Sequence, residues 1–242
     1  MLLYFVRHGD PIYDPDSLTP LGKRQAEAVG RRVCMHGIDR IFASSSNRAM
    51  QTAQPCCEMA KLSMEICDWA NESHAWHQMA PLLPNGDKTW AFHHPKYRKA
   101  FLMNEVRAMG RSWYEHPVFA DTTLKEGICR IQSAADAFLK ELGYAHDLEN
   151  NNYRILKENN DRVALFAHQG FGLAFLSCVL DVPYPIFSTH FDMSHSDMTV
   201  IRFGQSGEGD SETTVPCVLT LANDSHIYAE HLPTRFSNDI FI

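Results

Sequence analysis

The sequence has no surplus of basic residues: 22 lysines and arginines stand against 29 aspartates and glutamates in 242 positions, a formal charge of −7. Nucleic acid and anionic membranes both select an extended basic surface, so neither is expected as the main partner. A local cationic pocket is compatible with that balance. Long apolar runs are missing too. No stretch reaches the roughly 20 apolar residues that a bilayer-spanning helix requires. The opening run Leu2 to Val6 is too short for the apolar segment of a secretory signal, and it passes into Arg7-His8 without a small-residue cleavage site. Paired cysteine spacing is also absent. Seven cysteines, an odd number without C-x-x-C and with Cys56 and Cys57 adjacent, point to neither a disulfide framework nor a zinc knuckle. Reduced thiols and a cytoplasmic location are the resulting expectations. There is no internal repeat.

What the chain does have is enough apolar sequence, 45% against 21% charged, to bury a substantial core. Leu2 to Val6 reads as a strand buried on both faces. Thr19-Pro20 forms an N-cap and first helical position, and Ala26, Val29 and Val33 recur at helical spacing until Gly37. Ile41 to Ala43 reads as a second strand, followed by a helix from about Asn47 to Ala60, and Met64 to Cys67 as a third strand. A helix marked by Ile131, Ala135, Phe138 and Leu142 closes at Gly143, and a polar stretch runs from Asp147 to Asp161. Val163 to Ala167 is another apolar strand with the helix Phe171 to Leu180 behind it. Met198 to Phe203 and Val215 to Leu221 read as a long hairpin around the loop from Gly204 to Thr214.

Between about 69 and 123 the periodicity fades into a stretch dense in Trp, His and Pro, the pattern of an inserted, partly helical lid. Strands alternating with helices predict an α/β three-layer sandwich with a mostly parallel central sheet, a single domain over 1–242 carrying that insertion.

Ligands of open α/β sheets sit beyond the carboxyl ends of the strands. Two histidines fall there: His8 after the first strand and His168 after Val163 to Ala167, each within two residues of a glycine. Arg7 adjoins His8, and Arg48 lies in the first turn after another strand. Two imidazoles and two guanidinium groups converging on one point suit a phosphoryl dianion.

Arg7-His8-Gly9 after an N-terminal strand, Leu18-Thr19-Pro20-Leu21-Gly22 followed by Gln25-Ala26, Ser45-Ser46-Asn47-Arg48-Ala49 followed by Gln51-Thr52-Ala53, and a late strand ending in His168 form an ordered set of motifs. In these the chain resembles the histidine phosphatase superfamily, which includes phosphoglycerate mutases. The resemblance covers roughly positions 2 to 60 and 126 to 203. It implies a covalent mechanism in which His8 attacks phosphorus while Arg7, Arg48 and His168 hold the equatorial oxygens, helped by the backbone at Gly9 and Gln169. It also implies a carboxylic acid from the segment after the third strand, for which Glu72 matches best, with Glu65 and Asp68 close by in sequence. No cofactor and no metal is implied.

Two departures from the family pattern stand out. The Thr and Asn that commonly follow R-H-G are replaced by Asp10-Pro11-Ile12-Tyr13-Asp14, which brings a carboxylate near the anion site, and Gln169 stands where Gly is frequent. His74 and His77 near Glu72, and the cluster His190, Asp192, His195 and Asp197, invite a metal reading, but such spacing alone is a weak signal. The insertion's Trp76, Trp90, Tyr97, Lys96, Arg98 and Lys99 are candidates for lining a pocket. The reading that follows is a phosphomonoesterase acting on a small phosphorylated metabolite. Its alternatives are mutase-type phosphoryl transfer and a non-catalytic phospho-ligand binder.

Overall fold

A computed structural model describes residues 1–204, 212–236 and 240. Six strands form the central sheet: β1 (Leu2–Arg7), β2 (Arg40–Ser44), β3 (Met64–Cys67), β4 (Arg162–Ala167), β5 (Met198–Arg202) and β6 (Cys217–Asn223). Their spatial order is β6-β5-β1-β4-β2-β3. The run β1-β4-β2-β3 is parallel, and β5 and β6 extend it as an antiparallel edge. The late hairpin is therefore present, but positions 205–211 of its connecting loop lie outside the described residues.

The two faces of the sheet are set by alternation along the strands. Leu3 and Phe5 of β1 and Val163, Leu165 and Ala167 of β4 enter one core cluster; Val6, Ala164 and Phe166 enter the other. On the second face lie α1 (Pro20–Cys34) and α2 (Asn47–Ala60), whose Val29, Val33, Ala53 and Cys56 complete that cluster. Thr19 and Ser46 cap these two helices, accepting from the amides of Gly22 and Ala49. The first face is covered by α3 (Glu72–Met79), α4 (Leu124–Glu141) and α5 (Gln169–Val179). Every residue of α5 is buried, as expected of a helix that is apolar all round. The three-layer α/β sandwich read from the sequence is thus the observed fold.

One local expectation changes. Within the polar stretch the chain forms a hairpin, Tyr144–Asp147 against Asn152–Ile155, to which Thr213–Thr214 adds a short third strand. Tyr144 and Tyr153 bury their rings under Phe203, which outweighs the low strand propensity of the surrounding Asn and Asp. The segment 69–123 is partly helical, as its weak periodicity suggests, with short helices at Pro95–Phe101 and Asn104–Ala108 beyond α3. Its Phe101, Trp113 and Phe119 pack with Tyr184 inside the main core, ring centroids 5.1 to 5.8 Å apart.

Candidate active site

Parallel pairing in register dictates where the two histidines meet. Arg7 lies opposite Ala167, so the next residues, His8 and His168, leave adjacent strands side by side. The His8 amide donates to the Ala167 carbonyl at 2.9 Å, and the two ring centroids are 5.2 Å apart. Both rings are essentially inaccessible, 1% and 0% exposed, and Arg7 beside them is 1% exposed.

The His8 ring is fixed by its own neighbour: Nδ1 is 2.8 Å from the Gly9 carbonyl oxygen. A carbonyl can only accept, so Nδ1 carries the hydrogen and, in the neutral ring, Nε2 carries the lone pair. Burial drives the His8 pKa well below the ordinary imidazole value, reinforced by His168, Arg7 and Arg48, with the Gly9 bond a smaller opposing effect. His168 is lowered in the same way by burial, then Arg48 and Arg7. Its Nε2 lies 2.8 Å from Ser44 Oγ and 3.3 Å from Ser46 Oγ, which turns Nδ1 toward Glu72, 3.6 Å from Oε2.

Glu72 is held at both oxygens. Oε1 accepts from the Gly170 amide at 2.8 Å, and Oε2 faces Arg48 Nη2 at 3.4 Å. Arg48 is also paired through Nη1 with Asp16 at 2.7 Å, an acid that sequence reasoning missed. Of the other carboxylates considered, Glu65 is bound to Arg40 and Asp68 to Ser45 and His74, both exposed. Only Glu72 of the three touches His168 and Arg48.

Gly9 is engaged within the protein at both backbone groups, its carbonyl to His8 and its amide to Thr52 Oγ1 at 3.0 Å. It therefore backs the His8 ring. A side chain there would also collide with the chain entering α1, since a Cβ on Gly9 would lie 2.6 Å from the Gly22 carbonyl oxygen. Gln169 opens α5, where the first amides of a helix have no acceptor within it; its side chain donates to Asp192.

Asp10 does not face His8. Its Oδ2 accepts from Thr19 Oγ1 at 2.7 Å, and Oδ1 lies 3.4 Å from Arg235 Nη1 and 3.5 Å from His195 Nδ1. Its amide donates to Gln25 Oε1 at 2.8 Å. Gln25 and Thr52 both belong to the motifs quoted above, so the signal for them was in the sequence although their partners were not. Arg7 donates to the Met193 carbonyl; burial lowers its pKa with Asp197 opposing, and burial likewise pushes the Asp197 carboxyl well up with Arg7 opposing.

The later cluster that invited a metal reading does not gather: His190 pairs with Arg107, and His195 faces Asp10 and the His8 ring. Among the described residues, the group able to surround an ion is His8, Glu72 and His168, with donor atoms within 4.8 Å of one another. Those same atoms, beside Arg7 and Arg48, can converge on the oxygens and phosphorus of a phosphoryl group. No helix of the described residues is long and apolar enough to cross a membrane.

Comparison with known proteins follows the same lines. No curated protein matches the chain in sequence. In structure it is similar to a phosphoserine phosphatase from Entamoeba histolytica, with 15% identity over 93% of this chain and 98% of that one, at a TM-score of 0.60. A mycobacterial glucosyl-3-phosphoglycerate phosphatase gives 17% identity over 92% and 99% at 0.60. The alpha-ribazole phosphatase from Shigella flexneri gives 16% over 91% and 96% at 0.54. At such identities these likenesses concern the fold. Residues 3–86 match the model of the histidine phosphatase superfamily, branch 1, and over nine-tenths of its length the chain is folded like the solved phosphatases above.

Proposed function

We propose that the protein is a phosphomonoester hydrolase working through a phosphohistidine at Nε2 of His8. The observation that carries this reading is the Nδ1 bond to the Gly9 carbonyl, which leaves Nε2 unprotonated beside Arg7, Arg48 and His168. Because the His8 pKa is depressed, the nucleophile stays neutral in mild acid as well as at neutral pH.

In the first step the Nε2 lone pair forms a bond to phosphorus, the bond from phosphorus to the ester oxygen breaks, and Glu72 gives its proton to the leaving alkoxide. Arg7, Arg48 and His168 stabilise the charge on the equatorial oxygens. In the second step water attacks phosphorus, its proton passes to Glu72, and the P–N bond breaks to restore His8. The Gly9 carbonyl supports the positive ring of the intermediate.

The phosphatase activities named for the structurally similar proteins support hydrolysis as the outcome. The test is release of inorganic phosphate from 4-nitrophenyl phosphate between pH 5 and 8. Turnover lost in His8→Ala, with its fold intact, is the expected result. Turnover unchanged in that variant would refute the assignment.

A further inference from the structure

A cavity of about 750 Å³ opens directly from the site, with Arg48 and Glu72 shared between the two. If Glu72 protonates the ester oxygen, the alcohol part of the substrate must extend into this cavity, so what lines it decides which alcohol is accepted.

Two walls are aromatic. Trp76 and Trp90 meet edge to face with centroids 5.0 Å apart, and both line the cavity, with Tyr13 at its rim. Trp90 is fixed close to the reacting end, because its ring packs on Gly170, whose amide holds Glu72. An aromatic surface therefore begins next to the acid, where the first carbons of the alcohol would lie.

The charges point the same way. Asp16 and Glu72 are the acids of the lining and Arg48 is its cation, already paired with Asp16 at 2.7 Å. Among the described residues the lining includes no lysine, no second arginine and no histidine. The insertion's own cations lie elsewhere: Arg98 is turned to the Phe92 carbonyl and Lys96 lies over Tyr97. A carboxylate or second phosphate on the alcohol would be desolvated beside Asp16 without a cation of its own, an arrangement that costs binding. A planar ring, by contrast, finds two indole surfaces.

We infer that the substrate is the phosphate monoester of an alcohol that carries a planar ring and no negative charge. This rests on the hydrolase reading above.

The test compares kcat/KM for benzyl phosphate, glycerol 3-phosphate and 3-phosphoglycerate. All three release a primary alkoxide, so the differences report recognition of the alcohol part. Benzyl phosphate is expected to exceed glycerol 3-phosphate by about tenfold, the scale of one aromatic contact, and 3-phosphoglycerate to fall below both. Trp76→Leu should shrink the benzyl-to-glycerol ratio toward one, and Asp16→Asn should narrow the penalty on 3-phosphoglycerate. A preference for 3-phosphoglycerate, or a ratio unmoved by Trp76→Leu, overturns the inference while leaving the hydrolase reading intact. Failure to hydrolyse any of the three, or 4-nitrophenyl phosphate, overturns the hydrolase reading itself.

Discussion

His8 and His168 stand at equivalent levels of two neighbouring parallel strands, with ring centroids 5.2 Å apart, although 160 positions separate them in the chain. Each ring is then turned by one short hydrogen bond, His8 through the Gly9 carbonyl and His168 through Ser44. The strands bring the groups together, and these bonds decide which nitrogen faces the site.

Glu72 is the expected proton donor, so its loss should matter most for poor leaving groups. Glu72→Gln keeps the shape that accepts from Gly170 but cannot supply a proton. A fall of about 10²- to 10⁴-fold in kcat is expected for alkyl phosphates, with a much smaller fall for 4-nitrophenyl phosphate, whose leaving group is acidic. Equal losses on both substrates would remove Glu72 from the role.

Gly170 supports the same carboxylate from behind a tryptophan. A Cβ at this position would intrude on the Trp90 ring. Gly170→Ala should displace that ring, change the tryptophan fluorescence and raise KM for ring-bearing esters. An unchanged emission spectrum together with an unchanged KM would contradict this placement of Trp90.

Thr52 holds the turn that carries Gly9. Thr52→Val removes the acceptor of a buried amide, a change that costs about 1–3 kcal/mol. A lowered Tm with reduced kcat is the predicted outcome, and unaltered thermal unfolding would show that the amide finds another partner.

Acid should destabilise the fold before the carboxylates titrate. His8, His168 and His195 are held neutral, all by burial first, with Arg7 adding to each and His195 pushed down to about 2. Unfolding frees them to take up protons below their ordinary value near 6.5, so stability is full above that pH and declines as pH falls beneath it. His146 acts in the opposite direction. Burial opposes its charge, but hydrogen bonds to Asp136 and Asp181 raise it to about 9. Its contribution is complete below about 6.5 and disappears as pH rises through about 9. Thermal unfolding from pH 5 to 9.5 measures both arms; His146→Phe should flatten the alkaline one only.

The main sheet was legible because β1 and β4 are continuous apolar runs that lead into His8 and His168, while the motif around Arg7 closes β1 and the one around Arg48 follows β2. The hairpin of residues 144–155 was hidden because its strands are only four residues long and mostly polar, and they are held by two tyrosine rings that reach a core residue far along the chain. The orientation of Asp10 could not be read locally either. Its partners Arg235 and His195 come from distant segments, and in sequence alone the carboxylate simply sits two positions from His8. Pairing of Arg48 with Asp16 was hidden for the same reason: Asp16 belongs to a short hairpin, Pro11–Tyr13 against Asp16–Leu18, inside a loop rich in Pro and Asp.

The most direct measurement is to quench the enzyme during turnover of a ³²P-labelled monoester and to locate the label. A phosphoryl group that is labile to acid and stable to base, on His8 and bonded to Nε2, is the result this account requires, absent in His8→Ala. Label on another residue, or on Nδ1 of His8, would contradict it.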